Sequence, residues 1–152
     1  MQKISALGLD VGKKRIGVAG CDGTGLIATG LTTIERTSFA RDVELLKQLV
    51  EEREASLLVV GLPYSMNGTL GFQAQQVQKF ARRISAALQL PVDYIDERLT
   101  SIEAEQQLKE LKRFSSRDKG AIDRRAATII LQQWLEQRRF KNYELGIMNY
   151  EK

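Results

Sequence analysis

The 152-residue sequence contains no histidine. That absence removes Ser-His-Asp triads, Cys-His pairs and His-ligated zinc from the available chemistry. Catalysis, if there is any, must come from carboxylates, lysine, tyrosine, a bare hydroxyl, or a metal held by oxygen ligands. A single cysteine, Cys21, excludes an internal disulfide and suits a reducing compartment, so a cytoplasmic location is expected. The longest apolar run, Ala55 to Pro63, is broken by Ser56 and Gly61 and is far too short to span a bilayer, so no membrane partner is expected. The opening Met-Gln-Lys-Ile runs straight into a strand-like segment, without signal-peptide architecture. With no internal repeat, linker or break in composition, one domain is expected over residues 1–139, with 140–152 as a C-terminal tail of no clear period.

What is present suits a globular fold: 43% of residues are hydrophobic and 28% charged. The net charge of +4 is unevenly spread. Between Lys109 and Arg125 stand seven basic residues (Lys109, Lys112, Arg113, Arg117, Lys119, Arg124, Arg125) and three acidic ones (Glu110, Asp118, Asp123), so this stretch carries the whole surplus. Such clustering is a footprint for phosphate contacts. The plain alternative is a solvated helix end and loop.

Hydrophobic periodicity gives the element order β-β-β-α-β-α-β-α-α. Ile4–Leu9, Arg15–Cys21 and Leu26–Ile34 read as strands, joined into antiparallel hairpins by Gly12-Lys13-Lys14 and Asp22-Gly23-Thr24-Gly25. Phe39, Val43, Leu46 and Val50 then recur at helical spacing behind a capping Ser38. Ser56–Val60 reads as a buried parallel strand. Val77, Phe80, Ala81, Ile84 and Leu88 mark a second helix, and Val92–Ile95 a short strand. Thr100 with Glu103 forms a capping box, with Leu99 and Ala104 as its hydrophobic staple. A last helix from about Lys119 to Arg138 turns Ile122, Ala126, Ile129, Ile130, Trp134 and Leu135 inward. An antiparallel meander followed by right-handed crossovers predicts an α/β fold, a mixed five-stranded sheet flanked by helices.

In open α/β sheets, ligands bind beyond the carboxyl ends of the parallel strands. Acids stand there. Asp10 ends the first strand, Asp96-Glu97 ends the last, and both strands are expected near the sheet centre. Asp123 begins a stripe through Ala127, Ile130 and Trp134 on the final helix, and an inward carboxylate needs a partner. A divalent cation shared by Asp10, Asp123 and an acid at 96–97 would supply one, and oxygen ligands suit Mg2+ or Mn2+. Side chains alternate along a strand, so Asp96 and Glu97 cannot both face one side; Glu97 is the favoured ligand. Each acid also has an ordinary explanation: Asp10 as a turn former, Glu97 as the partner of Arg98 or a lysine, Asp123 as a complement to its helix dipole.

Four blocks carry a resemblance: Leu7-Gly-Leu-Asp-Val-Gly-Lys-Lys-Arg-Ile-Gly-Val-Ala19, Gly61-Leu-Pro-Tyr-Ser-Met-Asn-Gly-Thr69, Asp96-Glu-Arg-Leu-Thr-Ser101 and Ile122-Asp-Arg-Arg-Ala-Ala-Thr-Ile-Ile-Leu131. In this order they closely resemble the YqgF family, also called RuvX, over about residues 4 to 138. The resemblance implies an RNase H-like fold and metal-binding acids at Asp10, Glu97 and Asp123. It also implies a nuclease processing the 5′ end of precursor 16S ribosomal RNA, with Holliday junction resolution as the alternative. Lys13, Ser101 and the Arg124-Arg125 pair depart from the family's usual residues and leave the acids intact.

The expected chemistry is metal-assisted hydrolysis, two divalent ions about 3.5–4 Å apart clamping the scissile phosphate. Asp10 would bridge them, with Glu97 and Asp123 on either side. Lys13, Lys14, Arg15, Arg113, Arg117 and Lys119 would track flanking phosphates, contacts that position the substrate without reading sequence. Arg98 would orient the acids or touch phosphate. The loop carrying Asn67 and Gly68 would approach the strand closely, and Tyr64 could stack on a base. The partner expected is structured RNA or branched DNA, bound by a monomer or a homodimer. Two other classes compete: a non-catalytic nucleic-acid-binding or ribosome-assembly factor, and a nucleotide-binding unit of the actin and sugar-kinase kind. The latter needs a second similar half and another glycine-rich phosphate motif, and the sequence has neither.

Overall fold

A computed structural model describes residues 4–63, 71–96, 102–113 and 118–150. The elements follow the expected order: β1 (Ala6–Val11), β2 (Arg15–Cys21), β3 (Ala28–Glu35), α1 (Phe39–Arg53), β4 (Leu57–Leu62), α2 (Phe72–Leu88), β5 (Val92–Asp96), α3 (Ile102–Arg113) and α4 (Lys119–Tyr150). The strands form one mixed sheet in the order β3-β2-β1-β4-β5. β1, β2 and β3 pair antiparallel, while β4 runs parallel to both β1 and β5. One expectation is corrected. β1 is central, but β5 is an edge strand, because the crossover through α1 returns the chain to the open edge of β1. β4 takes that place and leaves β5 only the outside.

Alternation along the strands sends two sets of side chains to two layers. Leu7, Leu9 and Val11 of β1, Ile16 and Val18 of β2, and Leu58, Val60 and Leu62 of β4 pack with Leu46 of α1 and with Phe80 and Ile84 of α2. Ser38 caps α1 as expected: it is extended and its Oγ accepts the Arg41 N–H at 3.2 Å. Asp42, the one buried charged residue among those described, accepts the Thr37 N–H at 3.3 Å and faces Arg36 Nε at 3.8 Å. Between β2 and β3, the exposed Asp22 accepts from the Thr24 hydroxyl and from turn amides, which hold its carboxyl below the usual carboxylate range.

The opposite face is covered by α4. Ala6, Ala19, Cys21, Ala28, Val59 and Ile95 meet Ala127, Ile130, Leu131, Trp134 and Leu135. The Trp134 indole N–H donates to Asp93 Oδ2 at 2.8 Å and ties the helix to β5. Ala126 and Ile129, expected to face the same core, turn instead towards Leu108 and Leu111 of α3, which lies outside α4. The expected helix end near Arg138 is also corrected, since α4 continues to Tyr150 and takes in most of the proposed tail. No proline interrupts residues 139–150, and a nucleated helix propagates without needing an apolar stripe. The capping box at Thr100 and its Leu99 staple lie outside the described residues. Among the described residues, no helix is long and apolar enough to cross a membrane.

Candidate active site

Asp10 is the next-to-last residue of β1 and shares the α4 face with Ala6 and Gly8. Its antiparallel neighbour on β2 is Gly17. A Cβ at position 17 would overlap the Asp123 carbonyl. The missing side chain is therefore a notch into which the second turn of α4 settles. Directly paired residues on antiparallel strands lie about 4.5–5.5 Å apart, so this turn meets the sheet beside Asp10. Gly8 repeats the device further down the helix, where a Cβ would fall 2.7 Å from Leu131 Cβ.

Helix periodicity aims Asp123 at the same place. Steps of four, three and four lead from it to Ala127, Ile130 and Trp134, all buried against the sheet. Asp118 fixes where the helix starts by accepting the Ala121 N–H at 2.9 Å. The Thr33 hydroxyl donates to the Gly120 carbonyl and anchors the first turn to β3.

Arg15 stands two residues before Gly17 on β2, and its Nε donates to Asp123 Oδ2 at 2.6 Å. This pair is about one-fifth exposed at each side chain. The Asp123 hydrogen bond, helped by the charges of Asp123 and Glu35, raises the guanidinium pKa against a desolvation cost, so Arg15 stays cationic at any working pH. Arg15 was expected to touch phosphate. In the structure its Nε holds the Asp123 carboxylate.

Lys13 and Lys14 form the exposed tip of the β1–β2 hairpin, closed by the Gly12 N–H on the Arg15 carbonyl at 2.9 Å. Arg113 ends α3 and Lys119 begins α4, both exposed. Asp96 pairs in register with Leu62 and so belongs to the α1–α2 layer, on the opposite face from Asp10. Glu97, Arg98, Asn67, Tyr64 and Arg117 lie outside the described residues.

Asp10 and Asp123 offer hard carboxylate oxygens, a donor chemistry that fits magnesium or manganese. Among the described residues, no group of three His, Cys, Asp or Glu side chains is placed to hold an ion. The backbone of Asp123 meets the sheet at Gly17, the neighbour of Asp10, and the third expected acid is not described. Sequence reasoning missed Gly17. Its signal was a glycine inside a strand pattern, which marks a close backbone approach.

A family model described as RuvX, Holliday junction resolvase, matches residues 4–137. A protein of Rippkaea orientalis, named as a candidate pre-16S rRNA nuclease, is 80% identical over 139 residues, covering 91% of this chain and all of that one. A Synechocystis protein of the same name is 69% identical over 145 residues, 95% of each chain. Among solved structures, the yeast mitochondrial Holliday junction resolvase superposes with a TM-score of 0.61 at 12% identity, over 98% of this chain and 85% of that one. Thermus thermophilus RuvC in complex with a Holliday junction gives 0.57 at 12% identity, over 90% and 96%. At such identities the likeness is one of fold, and the fold is RNase H-like.

Proposed function

The chain belongs to the RuvX family, and from that premise we propose that it is a metal-dependent nuclease acting on precursor 16S ribosomal RNA. The observation that carries this reading is the docking of Asp123 into the Gly17 notch beside Asp10, at the carboxyl end of the central strand. The names of relatives 69–80% identical supply the substrate. A cytoplasmic location follows from a substrate met during ribosome assembly.

Asp10, Glu97 and Asp123 would hold the divalent ions, Mg2+ or Mn2+, which when bound supply a water of lowered pKa and neutralise phosphate charge. The protein's own part is positional. Arg15 holds the Asp123 carboxylate in one orientation against β2. Lys13 and Lys14 at the hairpin tip, with Arg113 and Lys119 on the α4 side, bind flanking phosphates and fix the register of the strand. A chain without histidine needs no protein base in this scheme.

The description of the matching family favours a second reading, cleavage of branched DNA. One assay separates the two. An RNA bearing a 5′ extension and a four-way DNA junction are each incubated with wild type, Asp10→Asn and Asp123→Asn in Mg2+ and in Mn2+. RNA cleavage is expected to exceed junction cleavage. Both variants should lose about 100-fold or more, the several kcal/mol that a metal site contributes to the transition state. Faster cutting of the junction would transfer the substrate to DNA. Undiminished cleavage by both variants would remove the acids from the mechanism. RNA binding without turnover in either metal would leave a binding factor.

A further inference from the structure

On the other face of the sheet, a groove of about 630 Å³ runs between the β1–β2 hairpin and α2. Val11 and Lys13 border it on one side, Arg36 stands at its wall, and Phe72, Lys79 and Arg83 follow α2. Four of the lining residues are cations and none is an acid. Phe72, Lys79 and Arg83 fall at spacings of seven and four, one stripe of a helix. Lys79 and Arg83 are like charges at i and i+4, an arrangement that destabilises a helix. No acid among the described residues forms an ion pair with Lys13, Lys79 or Arg83.

The cations are also differently committed. Arg36 is structural: its Nη1 donates to the Gly12 carbonyl at 2.6 Å and its guanidinium lies 4.2 Å from the centre of the Phe80 ring. The Arg83 guanidinium is held 3.9 Å from the Phe39 ring centre, with its side chain exposed. Lys13 and Lys79 are exposed. Phe72 is 73% exposed at the groove's edge, where it offers a large aromatic face.

We propose that this groove binds a single-stranded polynucleotide segment that continues the strand held at Asp10. The cations supply sequence-independent phosphate contacts, and Phe72 supplies a stacking platform for a base. An unpaired base offers its π-face to an aromatic ring, whereas in a duplex that face is covered by the next pair. The geometry is continuous with the candidate active site. Val11 in the groove is the residue after Asp10, so the two lie on opposite faces of one strand end, one Cα step of about 3.8 Å apart. A strand crossing the end of β1 would run from the acids into the groove.

The proposal rests on the nuclease reading only for the position of the adjoining phosphate, so it is tested without turnover. In EDTA, fluorescence anisotropy is measured for a labelled twelve-nucleotide single-stranded RNA and for the same sequence as a blunt duplex. The expected result for Lys79→Gln/Arg83→Gln is at least about tenfold weaker single-strand binding, and a salt slope lower by about 1.4, two contacts at about 0.7 each. Phe72→Ala should weaken it by about tenfold with the salt slope unchanged. Duplex binding should stay within about twofold of wild type in every variant. Single-strand affinity that is unaltered in these variants overturns the groove, and equal losses for duplex and single strand overturn the single-strand assignment. Full displacement by a mononucleotide at equal phosphate concentration would show a small-anion site and also overturn it. Absence of cleavage in metal would sink the nuclease reading while leaving groove binding measurable.

Discussion

Replacing Gly17 with alanine puts a methyl group where the Asp123 carbonyl lies, and backbone cannot swing aside as a long side chain can. Overpacking of this kind costs about 1–3 kcal/mol. It should also lift the first turns of α4 away from Asp10. The expected outcome is a lower urea midpoint together with cleavage reduced at temperatures where the variant is still fully folded. A variant with a lowered midpoint but wild-type cleavage per folded molecule would separate the notch from the site. Asp123 itself was legible, because its stripe through Ala127, Ile130 and Trp134 is written in the sequence at helical spacing. Its partner was not. Arg15 lies 108 residues away, and one basic residue in a hairpin beside two lysines carries no sign that it folds onto an acid.

Among the elements, α1 and α2 end alike. Glu54 and Gln89 take the left-handed conformation at φ 51° and 55° to close their helices. A side chain there works against its own Cβ, and glycine is the residue this position favours. Gln89 is exposed, so Gln89→Gly should raise stability by about 0.5–1 kcal/mol, read as an increase in urea midpoint. A decrease would mean that the entropy added to the unfolded chain outweighs the relieved strain. Helix interiors and the Ser38 cap were readable because apolar spacing and capping chemistry are local. The place of β5 was not, since chain order does not state which edge a crossover returns to. Nor was the turn of Ala126 and Ile129 towards α3, nor the length of α4, because beyond residue 139 the helix continues without a stripe to announce it.

For the molecule as a whole, the surplus charge lies in the stretch from Lys109 to Arg125, and a separate cluster of cations lines the groove on the other side of the sheet. The hairpin and the α2 groove face the α1–α2 layer, while Arg113 and Lys119 mark the junction of α3 with α4 on the other side. Asp10 and Asp123 stand between them, at the end of the central strand. A substrate that is part helix and part single strand would match this division, with its stem on the α4 side and its free segment in the groove. Phosphate contacts act independently of sequence, and each one lost lowers the salt slope of duplex binding by about 0.9. Arg113→Gln/Lys119→Gln should therefore weaken binding of an RNA stem-loop evenly across stem sequences and reduce that slope by about 1.8. Binding of the single-stranded probe should stay within about twofold, since the two sites share no residue and lie on opposite layers. A stem-loop slope equal to wild type would take the stem away from the α3–α4 junction. A matching loss for the single strand would mean that one continuous path, rather than two separated sites, carries the RNA past Asp10.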